Sequence, residues 1–213
     1  MRGLTEVQRI EVLNDYCRYL LEVFNRLWVC HHTLNALTRG SAVNVYRPVD
    51  IELCYLQIRK VFELMMYGSL LAQSTELPEL GRKLKKSYKA TEIVAHVRRK
   101  NPKFFPIPRT PIGDTIPPRT QSALEPHLEE GEFKTLYQRA LDRHLHANRE
   151  FGMQADQDAT AVQEIQAIVW KVTRLLQVHT LELATGDLIL GNLMTKETEK
   201  PYAQFLQRVS DEA

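Results

Sequence analysis

The sequence predicts a mainly α-helical bundle with a small β-hairpin near its C-terminus. Three observations predict it. Asp50 to Gln73 (DIELCYLQIRKVFELMMYGSLLAQ) is apolar on nearly every side, as suits a helix inside a bundle rather than on its surface. Ile10, Leu13, Cys17, Leu20, Phe24, Leu27, His31 and Leu34 recur at spacings of three and four, a sustained helical seam. Late in the chain the period changes, and VHTLELATGDLILGNLM alternates around Thr185-Gly186-Asp187, a hairpin turn signal.

Composition bounds the rest. The chain has 213 residues, 44% hydrophobic and 25% charged, with a formal net charge of +2. That is ordinary for a globular protein with a core of its own. Its three cysteines, Cys17, Cys30 and Cys54, form no CxxC pair. An odd count at helical spacing predicts buried thiols in a reducing compartment, not a disulfide framework or a zinc site. The opening MRGLTEVQRIEV lacks the apolar core of a signal peptide. No stretch approaches the roughly 20 apolar residues that span a bilayer. A cytoplasmic protein without a membrane partner is expected.

In chain order, Thr5 to Thr38 reads as one long helix, with Thr5 as N-cap and Glu6 in the first turn. Residues 1–40 thus form a long N-terminal helix that serves packing or dimerisation, with Leu21 and Trp28 widening its apolar stripe. His31 and His32 point about 100° apart on a helix, so they read as a core-edge and a surface histidine rather than a metal pair. Gly40 ends the helix, and Pro48 and Asp50 launch the next. That central helix carries Glu52, Arg59 and Glu63 in a narrow strip, predicting a paired, buried polar layer that orients the fourth helix.

A third helix is predicted over about 78–99, with Leu80, Leu84, Tyr88, Val94 and Val97 as contacts. Between Arg82 and Lys103 stand nine Lys or Arg residues against the single acid Glu92. Arg82, Lys83, Lys85, Lys86, Lys89, Arg98 and Arg99 therefore form either a solvated face or an RNA-binding, phosphate-contacting surface. Residues 101–130 hold seven of the ten prolines and read as a long loop, anchored at its start by Phe104 and Phe105. Glu132–Asn148 and Asp156–Val178 are the fourth and fifth helices. The hairpin follows at about 179–184 and 188–194. Residues 196–213 are a tail with a short helix at Tyr202–Val209. The bundle proper is expected to span 48–195.

The fourth helix carries the candidate chemistry. Tyr137, Ala140, Leu141, His144, Leu145 and Asn148 share one side, while Arg139, Arg143 and His146 share the other within about 60°. Two guanidiniums and an imidazole on successive turns could grip a phosphate and move a proton. Equally, Arg139 and Arg143 could pair with nearby acids such as Asp142 or Glu150 on a solvated face. His144, on the apolar side, reads as a core histidine.

LQIRKVFEL (56–64), NPKFFPIP (101–108), LYQRALDRHLHANREFG (136–152) and GDLILGNL (186–193) together resemble a family of uncharacterised bacterial proteins similar to the HEPN superfamily of helical bundles. The resemblance covers about residues 50–195 and implies an HEPN-like fold. Many HEPN proteins are metal-independent endoribonucleases in which an Arg and a His from both protomers of a dimer meet in one cleft. Arg139 with His144 fits the shorter family spacing and Arg139 with His146 the longer. Regular helical geometry favours His146, because His144 points about 140° away from Arg139. The resemblance implies a homodimer that binds RNA. His146 would serve as general acid or base, with its partner-chain copy as the other. Arg139 would stabilise the phosphorane-like transition state, and Arg143 would position the backbone. No cofactor and no metal are expected. The sequence departs from the active pattern at Ala140, where active members usually have a polar residue. The alternative reading is therefore a non-catalytic helical interaction module, a partner or regulatory subunit in a multi-gene system. No P-loop, GxGxxG, GxSxG or HExxH is present to suggest small-molecule chemistry.

Overall fold

A computed structural model describes residues 4–44, 46–74, 90–112, 119–123, 126–144, 155–193 and 200–206, with the backbone alone given for some helix-end residues, including 141–144. It is mainly α-helical, with an antiparallel sheet toward the C-terminal part. Helix α1 (Glu6–Thr38) is launched by a capping box. The Thr5 hydroxyl accepts the Gln8 N–H at 3.3 Å, and the Gln8 side chain accepts the Thr5 N–H at 3.0 Å. It ends where Ser41 N–H donates to Ala36 O and Gly40 N–H to Leu37 O. Gly40 there has φ +75, a conformation glycine adopts without steric penalty.

The seam of α1 differs from the predicted one. Val12, Tyr16, Leu20, Val23, Leu27, Cys30, Leu34 and Leu37 are buried, whereas Ile10 and His31 are exposed. Leu13, Cys17 and Phe24 are only half-buried. Leu21 and Trp28 lie outside the stripe at 40% and 58% exposure. His32, also exposed, stacks on Trp28 with centroids 5.5 Å apart. Apolar residues occupy more than one side of this helix, so two stripes fit the same period. Only the position of the neighbouring helix selects between them.

That neighbour is α2 (Arg47–Ser74), the central helix. It packs along α1 and also contacts α3 (Ala90–Lys100), α4 (Glu130–His144) and α5 (Ala155–Gln177). Tyr55, Ile58, Val61, Phe62 and Met66 are almost wholly enclosed. The start of α2 is fixed by Asp50, whose buried carboxylate accepts the Val43 N–H at 2.8 Å and the Asn44 N–H at 3.2 Å. Cys30 and Cys54 are buried free thiols where α1 meets α2, and Cys17 is half-buried and free. Val94 and Val97 of α3 are buried as their spacing predicts; Leu80, Leu84 and Tyr88 lie outside the described residues. Phe104 is fully enclosed. Phe105 packs edge-on against Phe133 of α4, which meets Phe62 of α2 at 4.9 Å.

The Pro-rich segment is not a structureless loop. It supplies β1 (Ile107–Ile112) and β2 (Arg119–Ser122), paired antiparallel. Proline lacks an N–H and so tolerates a ladder on one side only. Strand β1 obeys this by dividing its partners. Ile107 and Pro108 face β3 (Val178–Glu182), while Arg109 to Ile112 face β2. Strand β4 (Leu188–Asn192) forms the predicted hairpin with β3. The expected short helix at Tyr202–Val209 is corrected. Tyr202–Leu206 is strand β5, paired along the whole of β4. A segment this short has little local preference, and the open edge of β4 decides its state. The sheet order is β2-β1-β3-β4-β5, with α5 against β1, β3 and β4 and α1 against β5.

Among the described residues, no helix is long and apolar enough to cross a membrane.

Candidate anion-binding site

Glu52, Arg59 and Glu63 of α2 are half-buried, which corrects the expected buried line of charge. Keeping one edge in water spares most of the desolvation cost. Arg59 Nε donates to Glu63 Oε1 at 3.0 Å, and Lys60 reaches Glu63 Oε2 at 3.3 Å. Tyr137 of α4 donates its hydroxyl to Glu63 Oε1 at 3.4 Å. Glu63 therefore ties α2 to α4 through Tyr137 and is held by Arg59 on its own helix, with Glu52 two turns before Arg59.

Arg139 stands on α4 with its side chain 44% exposed, its Nη1 2.7 Å from Glu164 Oε1 of α5. Tyr55 of α2 donates to the other oxygen of Glu164 at 2.9 Å. One carboxylate thus gathers groups from two other helices, and its hydrogen bond raises the Arg139 pKa above the ordinary value. Ala140 faces the core at 1% exposure. Arg143 and His144 belong by backbone to the last turn of α4. Their side chains, and all of His146, lie outside the described residues, as do Arg82, Lys83, Lys85, Lys86 and Lys89. Arg98, Arg99 and Lys100 project from the last turn of α3, exposed, with Arg98 3.4 Å from Glu130. Lys103 reaches Glu182 at 3.2 Å.

A second cationic group was not legible in the sequence. A cleft of about 220 Å³ opens between β1 and the end of α5, lined among others by Arg109, Thr110, His127 and Arg174. Pro108, Pro111, Ala123 and Val178 supply apolar wall. No described lining residue is a carboxylate. Arg109 is held in place by its Nε, which donates to the buried Thr180 hydroxyl at 2.9 Å. Arg174 lies over the ring of Trp170 one turn earlier, 5.4 Å from its centroid. His127 arrives on the segment before α4, which is docked by the Leu128 N–H donating to Lys171 O. Arg109 and Arg174 are 65 positions apart in the chain, so no local motif could join them. Another groove, about 400 Å³ beside α1, is lined by both signs of charge, Asp15 and Glu22 with Arg18. Arg18 and Asp15 neutralise each other there at 2.8 Å.

Compared with protein-family models, curated proteins and solved structures, the chain finds no match in any of the three. The HEPN resemblance therefore rests on its four sequence segments alone.

One buried titratable pair lies apart from these surfaces. His179 of β3 is enclosed, with Nε2 2.6 Å from the Tyr16 hydroxyl and Nδ1 3.0 Å from Leu176 O. A carbonyl only accepts, so Nδ1 carries the proton and Nε2 accepts from Tyr16. Burial lowers the His179 pKa to about 4 and raises that of Tyr16. Both groups are satisfied and sealed from solvent, which makes them structural. Among the described residues, no group of three or more His, Cys, Asp or Glu is placed to hold a metal ion.

Proposed function

We propose that the protein binds RNA through a basic surface formed by the end of α3 and the cleft beside β1. The observation that carries this reading is the convergence of Arg109, His127 and Arg174, from three separate parts of the chain, without a carboxylate among the described lining residues. Guanidiniums in such a cleft suit phosphate oxygens, and their contacts hold a backbone without reading sequence. The segment that brings His127 continues into Glu130, the acid that Arg98 meets, so the two basic regions border one stretch of chain. The helical bundle and the net-basic run from Arg82 to Lys103 support the same reading.

The HEPN-like identity, the homodimer and cleavage by Arg139 with His146 belong to this proposal as its catalytic extension. Arg139 is engaged by Glu164 within the subunit. Cleavage would require that ion pair to exchange for a phosphate, with Arg143, His144 or His146 supplying the remaining groups.

Salt-dependent binding to a single-stranded RNA tests the reading. The wild type should lose affinity linearly on a log scale as salt rises. Replacing Arg98 and Arg99 by Ala should weaken binding and lower the slope by roughly one to two. A wild type without RNA affinity at low salt sinks the proposal. RNA degraded equally by wild type and His146→Ala would remove the nuclease extension while leaving binding intact.

A second reading, a protein-interaction module, is favoured by Val43, Tyr46, Val49 and Leu56. These leave 50%, 50%, 44% and 37% of their surface exposed where α2 begins. It predicts a partner complex that forms without RNA and fails in Tyr46→Asp.

A further inference from the structure

We infer that the cleft between β1 and α5 takes the terminal phosphorylated nucleotide of an RNA, phosphate inside and base on Trp170. The inference rests on the RNA-binding reading and narrows it from any backbone phosphate to a chain end.

Three features point to an end. The first is charge. Arg109 and Arg174 bring two guanidiniums to the cleft, beside the imidazole of His127. An internal phosphodiester carries one negative charge, whereas a terminal monoester carries close to two at neutral pH. The monoester is the better match to a pair of guanidiniums, each of which offers parallel N–H donors to phosphate oxygens. The second is size. About 220 Å³ is below the usual range for pockets that enclose a whole drug-sized ligand, and its walls include two prolines with stiff backbones. A phosphate group with its first ester carbon fits such a space.

The third is the aromatic neighbour. Trp170 is 44% exposed, an unusual place for so large an apolar surface. It lies one helical turn before Arg174, about 6 Å along α5, which is close to the separation of a phosphate from its own base. Arg174 lies against the indole and also lines the cleft, so one side chain links the phosphate position to the stacking position. Base–aromatic stacking tolerates any base, as recognition of an end rather than a sequence requires. Arg109 adds the fixed point. The Thr180 hydroxyl holds its Nε, which sets the plane of the guanidinium before any ligand arrives.

The experiment uses the full chain carrying Trp28→Phe, so that Trp170 is the remaining tryptophan and reports directly by fluorescence. Short RNAs of one sequence are titrated with a 5′-phosphate, with a 3′-phosphate, or with hydroxyls at both ends. Inorganic phosphate serves as competitor. One phosphorylated end should bind about tenfold tighter or better than the doubly hydroxylated RNA and should quench Trp170, since charge-assisted bonds to the added oxygens have no counterpart in the hydroxyl. Whichever end shows the preference identifies the source of the phosphate. Arg174→Gln and His127→Ala should each erase most of the preference, with thermal unfolding run on both variants to show that they still fold. Arg174 is exposed and has no core to disturb. Equal affinity for all three RNAs overturns the end-recognition inference and leaves RNA binding standing. Absence of binding to every RNA at low salt overturns both.

Discussion

At the scale of single residues, His179 is held tightly on every side the structure describes. Its ring is fixed between Leu176 O and the Tyr16 hydroxyl, and Gly191 lies against it so closely that a Cβ there would stand 2.5 Å from Nε2. Tyr16→Phe keeps the shape but leaves Nε2 a buried acceptor without its donor, and should cost about 1–3 kcal/mol in urea unfolding. An unchanged midpoint would show that the bond contributes nothing. The pair also predicts a pH dependence. The folded pKa of His179 is lowered to about 4, below the ordinary 6.5, so the unfolded chain takes up a proton first as pH falls. Stability from this group is therefore complete above pH 6.5 and drains away as pH drops toward 4. Between pH 6.5 and 5 the loss should be about 1.5 kcal/mol. Flat stability across that window would contradict a neutral, sealed imidazole.

Elements show which of two equally periodic readings the fold adopts. On α1, Val23 is 1% exposed and Ile10 53% exposed, although Ile10 fits the heptad written in the sequence. Val23→Ala should cost about 2 kcal/mol and Ile10→Ala under about 0.5 kcal/mol. The reverse order would mean that α1 is rotated relative to α2. Between α4 and α5, the Arg139–Glu164 pair is partly exposed, so its coupling in a double-mutant cycle should be about 0.5 kcal/mol. A coupling several times larger would mark Arg139 as a buried structural anchor and argue against its exchange for phosphate. The prolines of β1 belong to this scale as well. They look like breakers in sequence, yet Pro108 is paired with His179 of β3 and Pro111 with Thr120 of β2.

For the whole molecule, the helices around α2 were readable because each buries a stripe whose period is local. The strand pairing of β1, β2 and β5 was not, because a strand of four to six residues depends on an edge supplied from elsewhere. The candidate site divides in the same way. Arg139 was visible through its helical neighbours, but its partner Glu164 lies on another helix. Arg109, His127 and Arg174 share no motif and meet only when β1 is laid beside the end of α5. The catalytic extension further requires two copies of the chain. Light scattering should return twice the 24.7 kDa of one chain, and a monomer would leave the Arg–His cleft incomplete.

The amino-acid pattern by itself determined a mainly helical bundle around Asp50–Gln73, the Thr5 cap, the Gly40 stop, the hairpin at Gly186 and the basic run near residue 90. Each follows from interactions among residues a few positions apart. Tertiary structure alone decided which stripe of α1 is buried, that parts of the Pro-rich segment and Tyr202–Leu206 join a sheet, and that Arg109, His127 and Arg174 share a cleft. Those outcomes depend on which surfaces meet across the chain, and the energy of such meetings is not written in local spacing.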